Sequence, residues 1–534
     1  MFINNLWNKI ATRDVNQTVA DKLPIATRSL CPECREIIDA RLVDENGSLF
    51  MYKSCQEHGE FRELISSDTD FFLKMRRTHY ERPGPVENPA RSPEQGCPWD
   101  CGVCSAHRSF PSMVNIDLTN RCNLNCPICF ANSNAAGRVY ELSWEQIDHV
   151  IESIAALRPH PVVCVQFAGG EPTLHPYFLH AVNKSKYKGF SQIQAASNGV
   201  RFARSSAFAE SAAEAGLDVV YLQFDGMSDD IYRQTRGRPM LETKMQAIEN
   251  LGRAGIRVAL VPTIVKGFND HQVGEILKFA AENVDVVTAI SWQPVSFTGR
   301  IDETRRREMR FTTADLARSI QDQTGIMDMH RDWYPFSIVA PLSRFMEAVT
   351  GEKMANVNCH PHCGCVTYLL VDKQSGQSVP FPAFLDIEAA ARSLNKNAAR
   401  MEHYPWMKKA LSLQLKRDLK KHFRPENAPA GWDHNRLMQF IEELISLRQM
   451  HELDKKSLQE INRNRRFGII LSAAMHFQDL YNYELDRVRQ CIVHYADPQG
   501  NLYPFCTWNS GPCHRYRVEE MYSRAPGRQE EEAV

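Results

Sequence analysis

The chain has 534 residues, too many for one ordinary core, and domains of roughly 100 to 250 residues imply two or three units. Its 63 Lys and Arg nearly balance 64 Asp and Glu, which excludes the global electrostatic attraction to nucleic acid of a strongly basic chain. No run of about 18 uninterrupted apolar residues occurs, and Met1-Phe-Ile-Asn-Asn-Leu6 has no charged segment leading into a long apolar one, so a cytoplasmic protein without a transmembrane segment is expected. Sixteen cysteines clustered at short spacings in a reducing compartment point to metal rather than to disulfides.

Residues 1–75 read as a weakly patterned arm followed by a metal knuckle. Cys31-Pro-Glu-Cys34 is joined, through a hairpin-like stretch with Asn46-Gly47, to Cys55-Gln-Glu-His58. Two such knuckles offer four ligands in a tetrahedral, rubredoxin-like arrangement for one mononuclear iron or zinc ion, and ligand spacing does not choose between the metals. Residues 76–111 form a Pro-, Arg- and Glu-rich linker that ends in Cys97-Pro-Trp-Asp-Cys101-Gly-Val-Cys104. Three close thiolates with one distant partner suit an auxiliary 4Fe-4S cluster; a structural zinc site is the blander alternative.

From 112 to 330 the pattern becomes regular. Strand-like apolar runs at 114–118, 162–167, 193–196, 219–224, 258–263 and 286–290 alternate with amphipathic helices, the first opened by the capping box Ser143-Trp-Glu-Gln146. This α/β alternation predicts parallel strands joined by right-handed crossovers, either a six-unit partial barrel or an open doubly wound sheet. In both, ligands bind at the carboxyl ends of the strands.

The first strand runs into Cys122-Asn-Leu-Asn-Cys126-Pro-Ile-Cys129. Three thiolates hold three irons of a four-iron cluster and leave the fourth open to a ligand. The second strand ends in Gly169-Gly170-Glu171-Pro172, whose glycines permit close backbone approach and whose carboxylate can accept a hydrogen bond from an ammonium group. Asn198, Gln223 and Asp225 close the third and fourth strands, where they are either cofactor contacts or Asx-type turn residues. Cys164, alone inside an apolar run, reads as a core thiol. Arg300 ends the sixth unit, as a structural ion-pair partner or an anion contact.

Residues 331–520 are expected to be a mostly helical, cysteine-containing extension, and 521–534 a disordered tail. Cys359, Cys363 and Cys365 form another dense group, and Cys491, Cys506 and Cys513 follow. With Cys97, Cys101 and Cys104 these make nine thiols; two four-cysteine clusters need eight, so one is spare. Leucines at 411, 413, 415 and 419 and an apolar stretch at Phe440, Ile441, Leu444, Ile445 and Leu447 suggest helices. The basic stretch Lys416-Arg-Asp-Leu-Lys-Lys421 is most simply a solvated face; resting on anionic headgroups, peripheral to a membrane, is the alternative.

The loop Thr119-Asn-Arg-Cys-Asn-Leu-Asn-Cys-Pro-Ile-Cys-Phe-Ala-Asn132, followed by Gln166-Phe-Ala-Gly-Gly-Glu-Pro-Thr173, resembles the signatures of radical S-adenosylmethionine (SAM) enzymes. Ile128 stands where that family usually has an aromatic residue. The order of these motifs with Leu30-Cys-Pro-Glu-Cys34, Cys55 to Phe61, Gly96 to Cys104, Tyr221-Leu-Gln-Phe-Asp-Gly226 and Gln293 to Arg300 resembles the archaeal tetraether lipid synthases. That group has also been labelled pterin methyltransferase. The resemblance implies the partial (β/α)6 barrel, a SAM-binding cluster on Cys122, Cys126 and Cys129, and SAM contacts from Gly169, Gly170, Glu171, Asn198, Gln223 and Asp225. It implies hydrogen abstraction by a 5'-deoxyadenosyl radical, carbon-carbon coupling of unactivated lipid chain ends, and a low-potential electron donor such as ferredoxin or flavodoxin. The alternative is a radical SAM methyltransferase acting on a pterin or another small heterocycle. A peptide-modifying maturase lacks its N-terminal peptide-binding unit here, and an electron carrier leaves Gly169 to Pro172 without a purpose.

Overall fold

The computed structural model describes residues 16–17, 22–81, 94–355, 357–439 and 464–526. The rest of the N-terminal arm, most of the linker, the apolar stretch from Phe440 to Leu447 and the end of the tail lie outside the described residues.

An antiparallel ribbon opens the chain: β1 (Ile25–Leu30), β2 (Ile37–Glu45), β3 (Ser48–Cys55) and β4 (Gly59–Ser66), paired in that order. Asn46 and Gly47 both take positive φ, the two-residue turn that matches strand twist and fixes the β2–β3 register. Leu42, Leu49, Met51 and Ile65 bury one face of the ribbon against Phe72 of α1 (Thr69–Arg77).

The six strands expected from the apolar runs are β5 (Met113–Thr119), β6 (Cys164–Gly169), β7 (Gln192–Ser197), β8 (Val219–Gln223), β9 (Arg257–Val261) and β10 (Val287–Pro294). They pair in parallel in sequence order. One face, carrying Val114, Ile116, Leu118, Phe167, Val220, Leu222 and Leu260, packs under the connecting helices. The first of these, α2 (Trp144–Ala155), has the capping box of Ser143 and Gln146 and buries Ile147, Val150, Ile151 and Ile154. Cys164 sits in β6, buried, where desolvation pushes its thiol up.

The region after 331 is helical in α3 (Ile387–His403) and α4 (Lys408–His422), yet it also lends strands to both edges of the barrel sheet. β11 (Gly364–Asp372) lies antiparallel to β12 (Phe467–Met475), which runs parallel to β10. At the other edge β13 (Val493–Ala496) runs parallel to β5 and carries β14 (Leu502–Pro504). Short apolar runs such as Phe467 to Met475 do not distinguish strand from helix by periodicity, which hid these strands. α4 buries Leu411, Leu415 and Leu419 at helical spacing and leaves Lys416, Arg417, Lys420 and Lys421 exposed, a solvated face. Among the described residues no helix is long and apolar enough to cross a membrane.

Candidate active site

The loop after β5 is held from two sides. Asn134 accepts the Cys122 N–H at 3.0 Å and donates to the carbonyls of Cys122 and Leu124, fixing the start of the loop. Arg300 fixes the rest: its guanidinium donates to Asn125 Oδ1, to the Cys126 carbonyl at 2.9 Å and to the Ser133 carbonyl at 2.6 Å. Its backbone exchanges two hydrogen bonds with Cys129, at 2.8 and 3.0 Å. The sequence offered Arg300 as an ion-pair partner or anion contact; it is instead spent on loop carbonyls. Burial pushes the Cys122 thiol up to about 12, and nearby Glu171 adds to the effect. A thiol in such a place stays protonated until a metal binds its sulfur and displaces the proton.

Gly169 and Gly170 bring backbone close, and the backbone they approach is that of the loop. A Cβ on Gly169 would lie 2.2 Å from the Thr119 carbonyl oxygen, and one on Gly170 would lie 2.2 Å from that of Arg121. The Gly170 and Glu171 N–H groups donate to those same two carbonyls, at 2.7 and 2.9 Å. Glu171 is 1% exposed and its carboxylate is tied inward: Oε1 accepts from Thr173 Oγ1 (2.6 Å), Thr173 N (3.3 Å) and Ser197 Oγ (2.9 Å), and Oε2 accepts from Asn198 N (2.8 Å).

Asn198 reaches back to the loop, its Nδ2 donating to Asn123 Oδ1 at 2.7 Å. Lys244, 0% exposed, donates to the Asn198 carbonyl at 2.6 Å and to Gln223 Oε1 at 2.7 Å, and burial lowers it to about 7. Asp225 is gripped by both arms of Arg236, at 2.6 and 2.9 Å, and Arg236 also donates to the Ile128 carbonyl at 2.8 Å. Burial raises Asp225, but the guanidinium overrides it and leaves the carboxyl below its ordinary value. The structure thus gathers Asn198, Gln223 and Asp225 around the loop. Arg236 and Lys244 join them without any sequence signal, since each is recognised only by a partner brought close in the fold.

The sheet face opposite the helices is polar. Asn115 and Gln166 are neighbours across β5 and β6, and Gln166 donates to Gln194 Oε1 at 2.7 Å. Tyr221 donates to Ser291 Oγ across β9, with Gln293 beside it. Gln223 Nε2 and Asn115 Oδ1 have no partner among the described residues although both are buried.

In the ribbon, Cys31, Cys34, Cys55 and His58 present ligand atoms all within 4.8 Å of one another. The His58 imidazole beside Cys55 brings its thiol down to about 6. The ribbon is bound to the C-terminal region: buried Lys53 donates to the carbonyls of Leu30 and Leu480, both at 2.8 Å, and Arg310 pairs with Glu63 and Asp479.

The remaining thiols gather in two neighbouring groups, with Cys101 of one also near Cys491 of the other. Cys97, Cys101 and Cys104 line a common pocket with His107 and Arg489. Cys359, Cys363, Cys491 and Cys506 act on one another electrostatically, Cys363 being near all the other three. Cys365 is elsewhere, buried in β11 opposite Ala474. Cys513, in a left-handed conformation, opens the helix His514–Tyr522, and His514 Nε2 lies 3.3 Å from the Pro98 carbonyl.

Six parallel strands with a three-cysteine loop after the first, packed on Gly169 to Pro172, define a radical SAM protein, and the Radical SAM superfamily pattern matches residues 116–280. The chain belongs to that superfamily: it is a radical SAM iron-sulfur enzyme, with SAM and a four-iron cluster as its cofactors. An HMPTM N-terminal zinc ribbon domain matches residues 24–67, in keeping with a mononuclear metal on the ribbon. Over 93% of its length, and 95% of the relative's, the chain is 37% identical to the 7,8-dihydro-6-hydroxymethylpterin dimethyltransferase of Methanocaldococcus jannaschii. It is 24% identical to the GTP 3',8-cyclase of Rhizobium etli over 40% of this chain and 60% of that one. Among solved structures, Streptococcus suis SuiB bound to its precursor peptide SuiA aligns over 55% of this chain and 69% of that one, with 14% identity and a TM-score of 0.33.

Proposed function

We propose that this chain is a radical SAM methyltransferase acting on a pterin or a closely related heterocycle. The reading rests on the polar barrel face. Asn115, Gln166, Gln194, Tyr221, Ser291 and Gln293 offer amide and hydroxyl groups to a ligand edge rich in donors and acceptors, as a pterin ring is. A hydrocarbon chain end laid there would strip water from these groups and return no hydrogen bond, at roughly 1–3 kcal/mol for each. The name and extent of the pterin-methylating relative support the same reading. Lipid chain-end coupling, the first expectation from the motifs, gives way to its alternative on these two grounds.

When bound on Cys122, Cys126 and Cys129, the four-iron cluster supplies the electron that cleaves SAM. The chain's own residues hold that reaction in place. Arg300 and Asn134 keep the three thiols at fixed spacing. Glu171 locks the glycine turn and the end of β7 against the loop, so SAM is met there by backbone groups of Gly169 and Gly170 and by Asn198, while Gln223 and Asp225 line the far side. The quartet Cys359, Cys363, Cys491 and Cys506 fits an auxiliary four-iron cluster, since four neighbouring thiols, one buried and three half-buried, and unpartnered His and Arg nitrogens suit an enclosed anion. Cys97, Cys101 and Cys104 fit a second, with Cys513 left to complete it, and Cys365 is the spare. Reduction of these centres calls for an external low-potential electron donor.

The test is anaerobic turnover of the holoenzyme with SAM, a reductant and a hydroxymethyl-dihydropterin, followed by mass spectrometry. Pterin carrying one or two added methyl groups, with S-adenosylhomocysteine and 5'-deoxyadenosine, is the expected outcome. Coupled diether lipid formed without S-adenosylhomocysteine would overturn the reading.

A further inference from the structure

Arg236, Arg489 and Arg487 each lie beside clustered thiols, and they are not equivalent. Arg236, near Cys126, is held fork to fork by Asp225, so a carboxylate neutralises it. Arg489, near Cys97, lies 3.5 Å from Asp486 and is 28% exposed, so carboxylate and water both screen it. Arg487, near Cys363 and Cys506, is 3% exposed and has no ion pair among the described residues. One of its Nη atoms donates to the His476 carbonyl, and its Nε has no partner. Glu484 acts on it only from beyond ion-pair distance. Arg76, whose Nε is likewise unpartnered, adds positive charge around His360 and His362.

A buried cation with no counter-ion costs several kcal/mol, and a structure that keeps one provides an anion for it. A four-iron cluster with four thiolate ligands is a net anion, and it becomes more negative on reduction. A fixed positive charge at its sulfurs, in surroundings of low dielectric, therefore favours the reduced form, and N–H donors to sulfur act in the same direction.

Resting on the reading of Cys359, Cys363, Cys491 and Cys506 as a cluster site, we propose that Arg487 is a positioning residue that sets the reduction potential of that cluster. It holds the cluster above the other two in potential, so that a single electron passed in by a donor comes to rest there. The change is a one-electron reduction of the cluster, with the external donor oxidised.

The experiment is an anaerobic dithionite titration of the reconstituted full chain, followed by electron paramagnetic resonance, with iron and sulfide counted per chain. Cys491→Ala identifies the quartet's signal as the one it removes. Arg487→Gln is expected to keep the wild-type iron content while the midpoint of that signal moves to more negative potential, and the midpoints of the other clusters stay in place. Arg487→Lys, which keeps the charge but loses the fork, is expected to fall between the two. If Arg487→Gln does not load iron, the lysine variant decides alone, by a midpoint below that of the wild type. An unmoved midpoint with full iron content overturns the role of Arg487. Unchanged iron in Cys491→Ala overturns the cluster reading itself, a result distinct from the first.

Discussion

The carboxylate of Glu171 accepts the backbone N–H of Asn198 at 2.8 Å, tying the glycine turn after β6 to the end of β7. Its other oxygen takes Thr173 and Ser197. The residue that looks most like a ligand contact in the sequence thus also braces the ends of two strands.

Glu171→Gln tests the brace against a direct cofactor contact. Its amide would turn a donor toward groups that are themselves donors, leaving a buried pair unsatisfied at roughly 1–3 kcal/mol. SAM cleavage, followed as 5'-deoxyadenosine, is expected to fall about 10- to 100-fold, with a lowered thermal midpoint in the protein without SAM. Full thermal stability with lost SAM binding would show that the carboxylate serves the cofactor directly.

Arg300→Ala removes the side-chain hold on Asn125, Cys126 and Ser133 but leaves the backbone pairing with Cys129. The loop loosens without unfolding. Iron of the SAM-binding cluster should be lost to a chelator roughly tenfold faster than in the wild type, from about 1.4 kcal/mol of lost hydrogen bonding. An unchanged rate would mean that Asn134 and the backbone hold the loop unaided.

Cys365→Ala and Cys491→Ala should part company. Cys365 is buried and Cys491 half-buried, yet Cys491 has other thiols close by and Cys365 lies in the strand away from them. Iron and sulfide analysis is expected to show about four irons lost in Cys491→Ala and none in Cys365→Ala. The second variant should cost only the 1–2 kcal/mol or so of a small core truncation. Equal loss from both would return Cys365 to the ligand set.

Much of this was legible in the chain beforehand, for physical reasons. Strands 114–118 and onward announce themselves because both faces of a parallel sheet are covered, and short spacings such as Cys122 to Cys129 carry their own geometry. The division of nine thiols was not legible: Cys363 and Cys365 are two residues apart, but Cys363 sits in the turn before β11 while Cys365 lies within the strand, and the two end in different surroundings. Arg236, Lys244 and Arg487 also escaped, because a charge acquires its meaning from a partner far away in sequence. The polar barrel face is a third case, as its six residues come from five strands and alternate with apolar ones.

Glu519 gives a pH test. Burial raises its carboxyl to about 7, although Arg515 at 3.7 Å pulls the other way. An acid raised on folding holds its proton in the folded chain between about 4.5 and 7 while the unfolded chain has released it. Stability therefore falls as pH rises through that window. Glu519→Gln should flatten the slope of the thermal midpoint between those pH values and be more stable than the wild type at pH about 8, by on the order of 2 kcal/mol. A slope as steep as that of the wild type would assign it to another group.

The pairing of β13 with β5 has a consequence for synthesis. Asn115 donates to the His494 carbonyl across 379 residues of chain, so the first barrel strand waits for its outer neighbour until that much chain has been made. Until then its hydrogen-bonding edge is bare, and a bare edge recruits other chains. Cys491 and Cys506 flank the same late strand. Sheet closure and the arrival of Cys491 and Cys506 thus fall in one stretch of translation, and a chain cut short before it should aggregate rather than persist as a working fragment.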